Sequence, residues 1–252
     1  MHALRWIIAL IVAAFGFVTY YSTTSENPVT GEKQHVRLTP EQEIALGRQL
    51  APQMAAQFGG VSGSALRERV RQVGARVVAQ SSAANTPYKY SFHLLADRST
   101  VNAFALPGGQ IFITEALVSL LKSEDELAAV LGHEVGHVLA RHSAEHLAKQ
   151  QLTQHLIGAV VIGSGGGYDT AQLAQLVGSL VNMKHGRDDE LEADTLGLRV
   201  TREAGYDPRA MIAVMQVLEK ASGGGRQPEF ASTHPAPANR IARIREQLET
   251  MK

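Results

Sequence analysis

Between Ser123 and Gln150 lies the segment that most restricts how this chain can fold, and its centre reads His133-Glu134-Val135-Gly136-His137. Ser123 followed by Glu126 has capping-box spacing and predicts a helix that starts at Glu124. Leu127, Val130, Leu131, Val135 and Val138 continue it as an apolar stripe at helical period. Residues four apart on a helix are separated by about 40° around its axis, so the His133 and His137 imidazoles leave one face. Two ring nitrogens on one face can grip one zinc ion. Glu134, turned about 100° from His133, stands beside the metal, where a carboxylate can hold a water. Read alone, the pentad also fits two satisfied histidines on an ordinary helix.

The same predicted helix, continued to Gln150, carries His142-Ser143-Ala144-Glu145-His146, which fits the inverted H-x-x-E-H spacing. On a continuous helix His142 lies about 180° from His133, so the two pairs point in opposite directions. The first pair is set among Leu, Val and Gly, the second among Arg141, Glu145, Lys149 and Gln150. His142 and His146 are therefore expected at the surface or in a second layer around the site.

A zinc held by two histidines needs a third protein ligand, with the fourth position left to water. The acidic run Arg187-Asp188-Asp189-Glu190-Leu191-Glu192-Ala193-Asp194 offers candidates. Glu190 and Asp194 share one helical face, so one can bind metal while the other steadies a ligand imidazole; Glu192 is turned away by about 200°. Acidic residues also suit any helix N-terminus. Farther on, His234, held by Pro235, can reach a site and stabilise an oxyanion, or can simply be solvated.

With 24 basic and 24 acidic residues there is no electrostatic case for nucleic acid. The chain has no cysteine, which excludes disulfides, a lipid-modified cysteine and a thiol nucleophile, and leaves His and carboxylate to hold zinc. Residues 1–21 form a basic start followed by an uncharged apolar run from Trp6 to Tyr21, either a signal peptide or a membrane anchor. The flank Thr19-Tyr20-Tyr21-Ser22 has no small-x-small cleavage site and favours an anchor, with the basic end in the cytoplasm. Residues 22–38 read as a polar tether, and 39–252 as one domain.

Within that domain helices are expected at 39–57 and 65–80, and strands at 88–96, 101–106 and 110–114, the last two joined by a turn at Pro107-Gly108-Gly109. These strands read as a small antiparallel sheet packed on the helices. The strand of small residues Asn102-Ala103-Phe104-Ala105 can pair with an extended substrate by β-addition. An apolar helix pair at 152–162 and 170–183, hinged by the glycine run 163–167, is expected to act as a lid or to lie on a membrane surface. That run lacks the Lys-Ser/Thr of a phosphate loop. Gly205 to Pro208 closes one helix and starts another, and Ile241, Ile244 and Leu248 mark a last amphipathic helix.

Taken together, residues 102–109, the pentad 133–137, residues 190–194, and His234-Pro235 with Arg240 beyond resemble the M48 family of zinc metallopeptidases, in the family's order and over about 96–248. The resemblance implies an α+β fold, a mainly helical zincin domain of gluzincin type with a small antiparallel sheet. It implies one Zn2+ per chain held by His133, His137 and Glu190, with Asp194 behind a ligand histidine, Glu134 as base and His234 near the oxyanion. It also strengthens the case for Asn102, Ala103, Phe104 and Ala105 as a substrate-binding edge. Within the family the chain is similar to the compact periplasmic type, having neither several membrane spans nor a helical-repeat domain. The implied activity is zinc-dependent endopeptidase action on unfolded or misfolded polypeptides on the non-cytoplasmic side of the membrane. The alternative is a zinc-containing chaperone or assembly factor for exported proteins, with little proteolysis. Membrane contact is expected through the N-terminal segment, or release into the periplasm if that segment is cleaved. Nothing in the pattern specifies an oligomeric state.

Overall fold

Residues 2–152, 186–222, 229–234 and 240–251 are described by a computed structural model, and the chain divides into two units, 1–39 with 143–183 and 40–142 with 184–252. In the first unit, α1 (His2–Ser22) contains the apolar run; Ala3–Ser22 is long and apolar enough to cross a membrane by length and composition. Leu4, Trp6, Ile7, Leu10, Ile11 and Phe15 are exposed on it, whereas a soluble core helix of this hydropathy would be buried. Inside the expected tether, β1 (Thr24–Glu26) pairs antiparallel with β2 (Lys33–His35). Asn27 shapes their connection, its Oδ1 accepting from the amides of Val29 and Thr30. Beyond residue 152, the expected helix pair at 152–162 and 170–183 lies outside the described residues, as do the glycine run between them and Pro235.

The second unit starts with α2 (Pro40–Gln57) and α3 (Leu66–Ala79), followed by β3 (Ser91–Leu95), β4 (Ala103–Leu106) and β5 (Gln110–Thr114). Helices α4 (Glu115–Leu120) and α5 (Glu124–Leu139) come next, then α6 (Arg187–Glu203), α7 (Ala210–Ser222), α8 (Glu229–Thr233) and α9 (Arg240–Thr250). The helix starts at Pro40 and Glu124 carry their expected signals, and Ser123 Oγ accepts from the Glu126 amide at 3.1 Å.

The three-stranded sheet has the order β3-β5-β4. β4 and β5 are antiparallel as expected, but β3 runs parallel to β5, so the sheet is mixed rather than antiparallel throughout. After β3 the chain crosses to the far edge as β4 and returns through the middle as β5. The crossover supplies the length that a parallel pair requires. Nothing in the alternation of a strand states its direction. The turn between β4 and β5 needs its glycines: Gly108 has φ +76°, and a Cβ there would meet the Ile44 backbone at 2.3 Å.

Helix α5 is buried from Glu126 to Leu139, with β4, α3, α6 and α7 packed around it. Its approach to α6 depends on Gly136, where a Cβ would lie 2.5 Å from the Ala193 carbonyl oxygen. A backbone atom cannot step aside as a side chain can. Gly136→Ala is therefore expected to destabilise the fold by about 1–3 kcal/mol in urea titrations and to weaken metal binding, because α6 has to retreat. A native midpoint and native metal affinity would show that the helices separate freely.

The expected continuous helix to Gln150 is not what forms. Helix α5 stops at Leu139, Arg141 takes a left-handed conformation with φ 61°, and the chain is helical again at 142–152. Buried Arg141 is anchored by Glu43 of α2, its Nε donating to Oε1 at 2.9 Å. This break re-aims His142.

Candidate metal centre

Two turns of α5 bring His133 and His137 to one point, with Nε2 to Nε2 at 3.1 Å. Helix α6 adds Glu190, whose Oε2 lies 3.4 Å from His133 Nε2 and whose Oε1 lies 3.4 Å from His137 Nε2. From the end of α8 comes His234, its Nδ1 3.0 Å from Glu190 Oε1 and 3.4 Å from His133 Nε2. One ligand atom from each of these four buried residues falls within 4.8 Å of every other. A tetrahedral cation with bonds of about 2.0–2.1 Å sets its donors about 3.3 Å apart, which is the spacing seen here.

Charge points the same way. Among the described residues, Glu134, Glu190 and Asp194 are buried carboxylates gathered around one buried guanidinium, Arg240, an excess of negative charge that suits a divalent ion. Burial pushes the Glu134 pKa up. It works against ionisation of Glu190 too, yet His234, His133 and His137 hold that carboxyl well below its ordinary range. Burial opposes a charge on His133, but Asp194 and Glu190 outweigh it and lift the ring to about 9, a sign that the point attracts positive charge. Neither oxygen of Glu134 has a hydrogen-bond partner, although the side chain is fully buried. A buried carboxylate in that condition needs a further polar group to bond. The residues present fit a divalent metal held by His133, His137 and Glu190.

Behind these donors stands a layer that fixes them. Asp194 Oδ1 is 3.0 Å from His133 Nδ1, so the carboxylate holds the proton on the far side of the ring and leaves Nε2 as the donor. Arg240 grips Asp194 with two bonds, Nε to Oδ2 at 2.7 Å and Nη2 to Oδ1 at 2.8 Å, and its Nη1 lies 3.0 Å from Glu190 Oε2. Asp194 is held below its ordinary pKa by Arg240 and His133, against the effect of burial.

Residues 102–106 form one wall. Asn102 is buried and its carbonyl accepts from the Thr114 amide at 3.0 Å. Carbonyls alternate sides along a strand, so that of Ala103 points away from β5, and it accepts from His234 Nε2 at 3.3 Å. The Phe104 ring stacks on Phe112 and lies against Phe58, while Ala105 is partly buried. β4 is thus an edge strand whose outward side meets the donor cluster through His234. With Nε2 donating to Ala103, the other ring nitrogen, Nδ1, is turned towards Glu190 Oε1 and the remaining ligand atoms. The ring stands among the ligand atoms rather than beside them.

Of the two places expected for His142, surface or second layer, the surface is excluded: it is 1% exposed, and its Nδ1 lies 2.8 Å from His137 Nδ1, directly behind that ring. The expectation of opposite directions assumed an unbroken helix, which the left-handed Arg141 removes. His146 is half-buried. The sequence reading missed Glu43, Glu192 and the part played by Arg240. The only available signal was the second histidine pair itself.

Fold and donor set define an H-E-x-x-H metallopeptidase core, two imidazoles from one helix meeting a carboxylate from another. The chain belongs to peptidase family M48, whose family model matches residues 64–248. It is 32% identical to the beta-barrel assembly-enhancing protease of Yersinia pestis over 234 residues, 89% of this chain and 48% of that protein. It is 29% identical to the protein of the same name from Escherichia coli K12, with 89% and 47% covered. With the mitochondrial metalloendopeptidase OMA1 of Schizosaccharomyces pombe it shares 31% identity over 252 residues, 97% of this chain and 72% of that one. The chain spans about half the length of the beta-barrel assembly-enhancing proteases it matches.

Proposed function

We propose that this chain is a zinc-dependent endopeptidase that hydrolyses unfolded or misfolded polypeptides on the non-cytoplasmic side of a membrane, with α1 as its anchor. The observation that carries the reading is the convergence of His133, His137 and Glu190 donor atoms beside a buried Glu134 carboxylate whose oxygens have no hydrogen-bond partner. Two imidazoles and a carboxylate, in a chain without cysteine, suit zinc. When bound, zinc would supply Lewis-acid polarisation of the scissile carbonyl and acidify a water. Glu134 takes the proton as water attacks and returns it to the departing amine, and its raised proton affinity suits both steps. Asp194 and Arg240 keep the donors oriented during turnover.

Residues 102–105 bind the substrate in this reading. Backbone pairing along an open strand tolerates many side chains, as a protease of unfolded chains requires. Arg5 ahead of the apolar run favours a cytoplasmic N-terminus, which leaves the peptidase domain on the other side. Relatives named for β-barrel assembly and for mitochondria are in keeping with work beside a membrane. The test is casein digestion by the full chain in detergent, before and after chelation and after return of one equivalent of zinc. Chelation is expected to stop cleavage and zinc to restore it. Digestion indifferent to chelator, or protein without stoichiometric metal, overturns the assignment.

A second reading rests on His234. With its Nδ1 in the cluster the donor set reaches four, the closed arrangement of a structural zinc, as a chaperone or assembly factor for exported proteins would use it. His234→Ala separates the cases. If the ring donates to an oxyanion, the variant loses about 10²–10³-fold in kcat. If it fills the fourth position of a peptidase, casein cleavage rises. Native and variant proteins that both hold zinc and cleave nothing would leave the chaperone.

A further inference from the structure

Neither His142 nor Glu192 belongs to the pentad or to the Glu190–Asp194 pair, yet together they back one of its histidines. His142 Nδ1 lies 2.8 Å from His137 Nδ1, and His142 Nε2 lies 3.1 Å from Glu192 Oε2. The His142 side chain is 1% exposed and that of Glu192 25%, so the row runs from the donor cluster towards the surface. We propose that His142 and Glu192 are positioning residues that hold the His137 ring with its Nε2 lone pair facing the metal.

The proposal rests on the zinc reading of the site, and proton counting carries it from there. His137 Nε2 lies among the donors, so in a metal-holding ring it has no proton. A neutral imidazole then keeps its one proton on Nδ1. That proton faces the Nδ1 of His142, which has to be the acceptor, and the His142 proton is left on Nε2. There it meets a carboxylate, a group that only accepts when ionised. Each ring has one permitted tautomer, and the row has one direction. His133 is treated differently, with the Asp194 carboxylate directly against its Nδ1. The left-handed turn at Arg141, pinned by Glu43, is what aims His142 at His137.

The experiment measures zinc affinity of the full chain in detergent by competition with a chromophoric chelator, beside thermal melts of the metal-free proteins. His142→Leu fills the space but cannot accept a proton, and it is expected to bind zinc about 10–100-fold more weakly with its metal-free melt little changed. His142→Asn places an oxygen where Nδ1 stands and is expected to recover most of that loss, which a purely space-filling role would not allow. Should the leucine variant fail to fold, Glu192→Gln carries the measurement, because its side chain is partly exposed; a several-fold loss is expected there. Ring-nitrogen NMR of the zinc-loaded native protein should show His137 protonated at Nδ1 and His142 at Nε2. Native affinity in both His142→Leu and Glu192→Gln, or a His142 protonated at Nδ1, overturns the proposal while leaving the zinc site intact. A native chain that takes up no zinc overturns the metal reading and the proposal with it.

Discussion

Glu134→Gln is expected to hold zinc like the native chain and to cleave casein about 10³-fold more slowly. Glutamine has the same shape, so the packing around position 134 on α5 is kept, and what disappears is the proton acceptor. The native carboxylate is fully buried and its oxygens are without hydrogen-bond partners, so no structural bond is lost with it. Burial penalises this charge more than His234, 3.7 Å from Oε1, favours it, so its removal leaves the fold at least as stable. The signature is therefore a lower rate with an equal or higher melting temperature. Casein digestion, metal content and a melt on the same preparation read all three. Native activity would remove Glu134 as the base, and loss of zinc would make it a ligand.

Arg240→Leu is expected to remove about 3–5 kcal/mol of stability, measured by urea titration of the chelated protein. Arg240 is 1% exposed, is bonded twice to Asp194 and is ion-paired with Glu190, so its loss takes the one guanidinium away from two buried carboxylates and leaves them to the histidines. Burial then works against the Asp194 charge with His133 alone left to favour it, so its pKa moves upward. The carboxylate behind the His133 ring is then less firmly held, and zinc affinity falls alongside stability. Adding Asp194→Asn to Arg240→Leu should return part of the lost stability, since one stranded charge goes with it. An Arg240→Leu protein that melts like the native one would show that the ion pair contributes nothing net.

Much of the site was legible in the primary structure because the relevant geometry is local. Four-residue spacing on a helix sets an angle, and that angle puts His133 with His137, and Glu190 with Asp194, whatever surrounds them. Caps and turn glycines mark where α2 and α5 begin and where β4 turns back into β5, again within a few residues. The apolar run of α1 is plain for the same reason.

Other features depend on contacts between distant segments. Arg141 enters the left-handed region without being glycine, and its partner Glu43 is 98 residues away, so no local signal marks the break that turns His142 inward. The direction of β3 relative to β5 follows from where the crossover runs, not from the side chains of either strand. That Arg240 locks Asp194 while His234 reaches past Glu190 to the edge strand depends on how closely α5 and α6 approach, which Gly136 permits. By itself, then, the sequence specified which side chains share a face, because backbone periodicity is a short-range property. Only the tertiary structure decided which faces meet, because that follows from long-range packing and the pairing of buried charge.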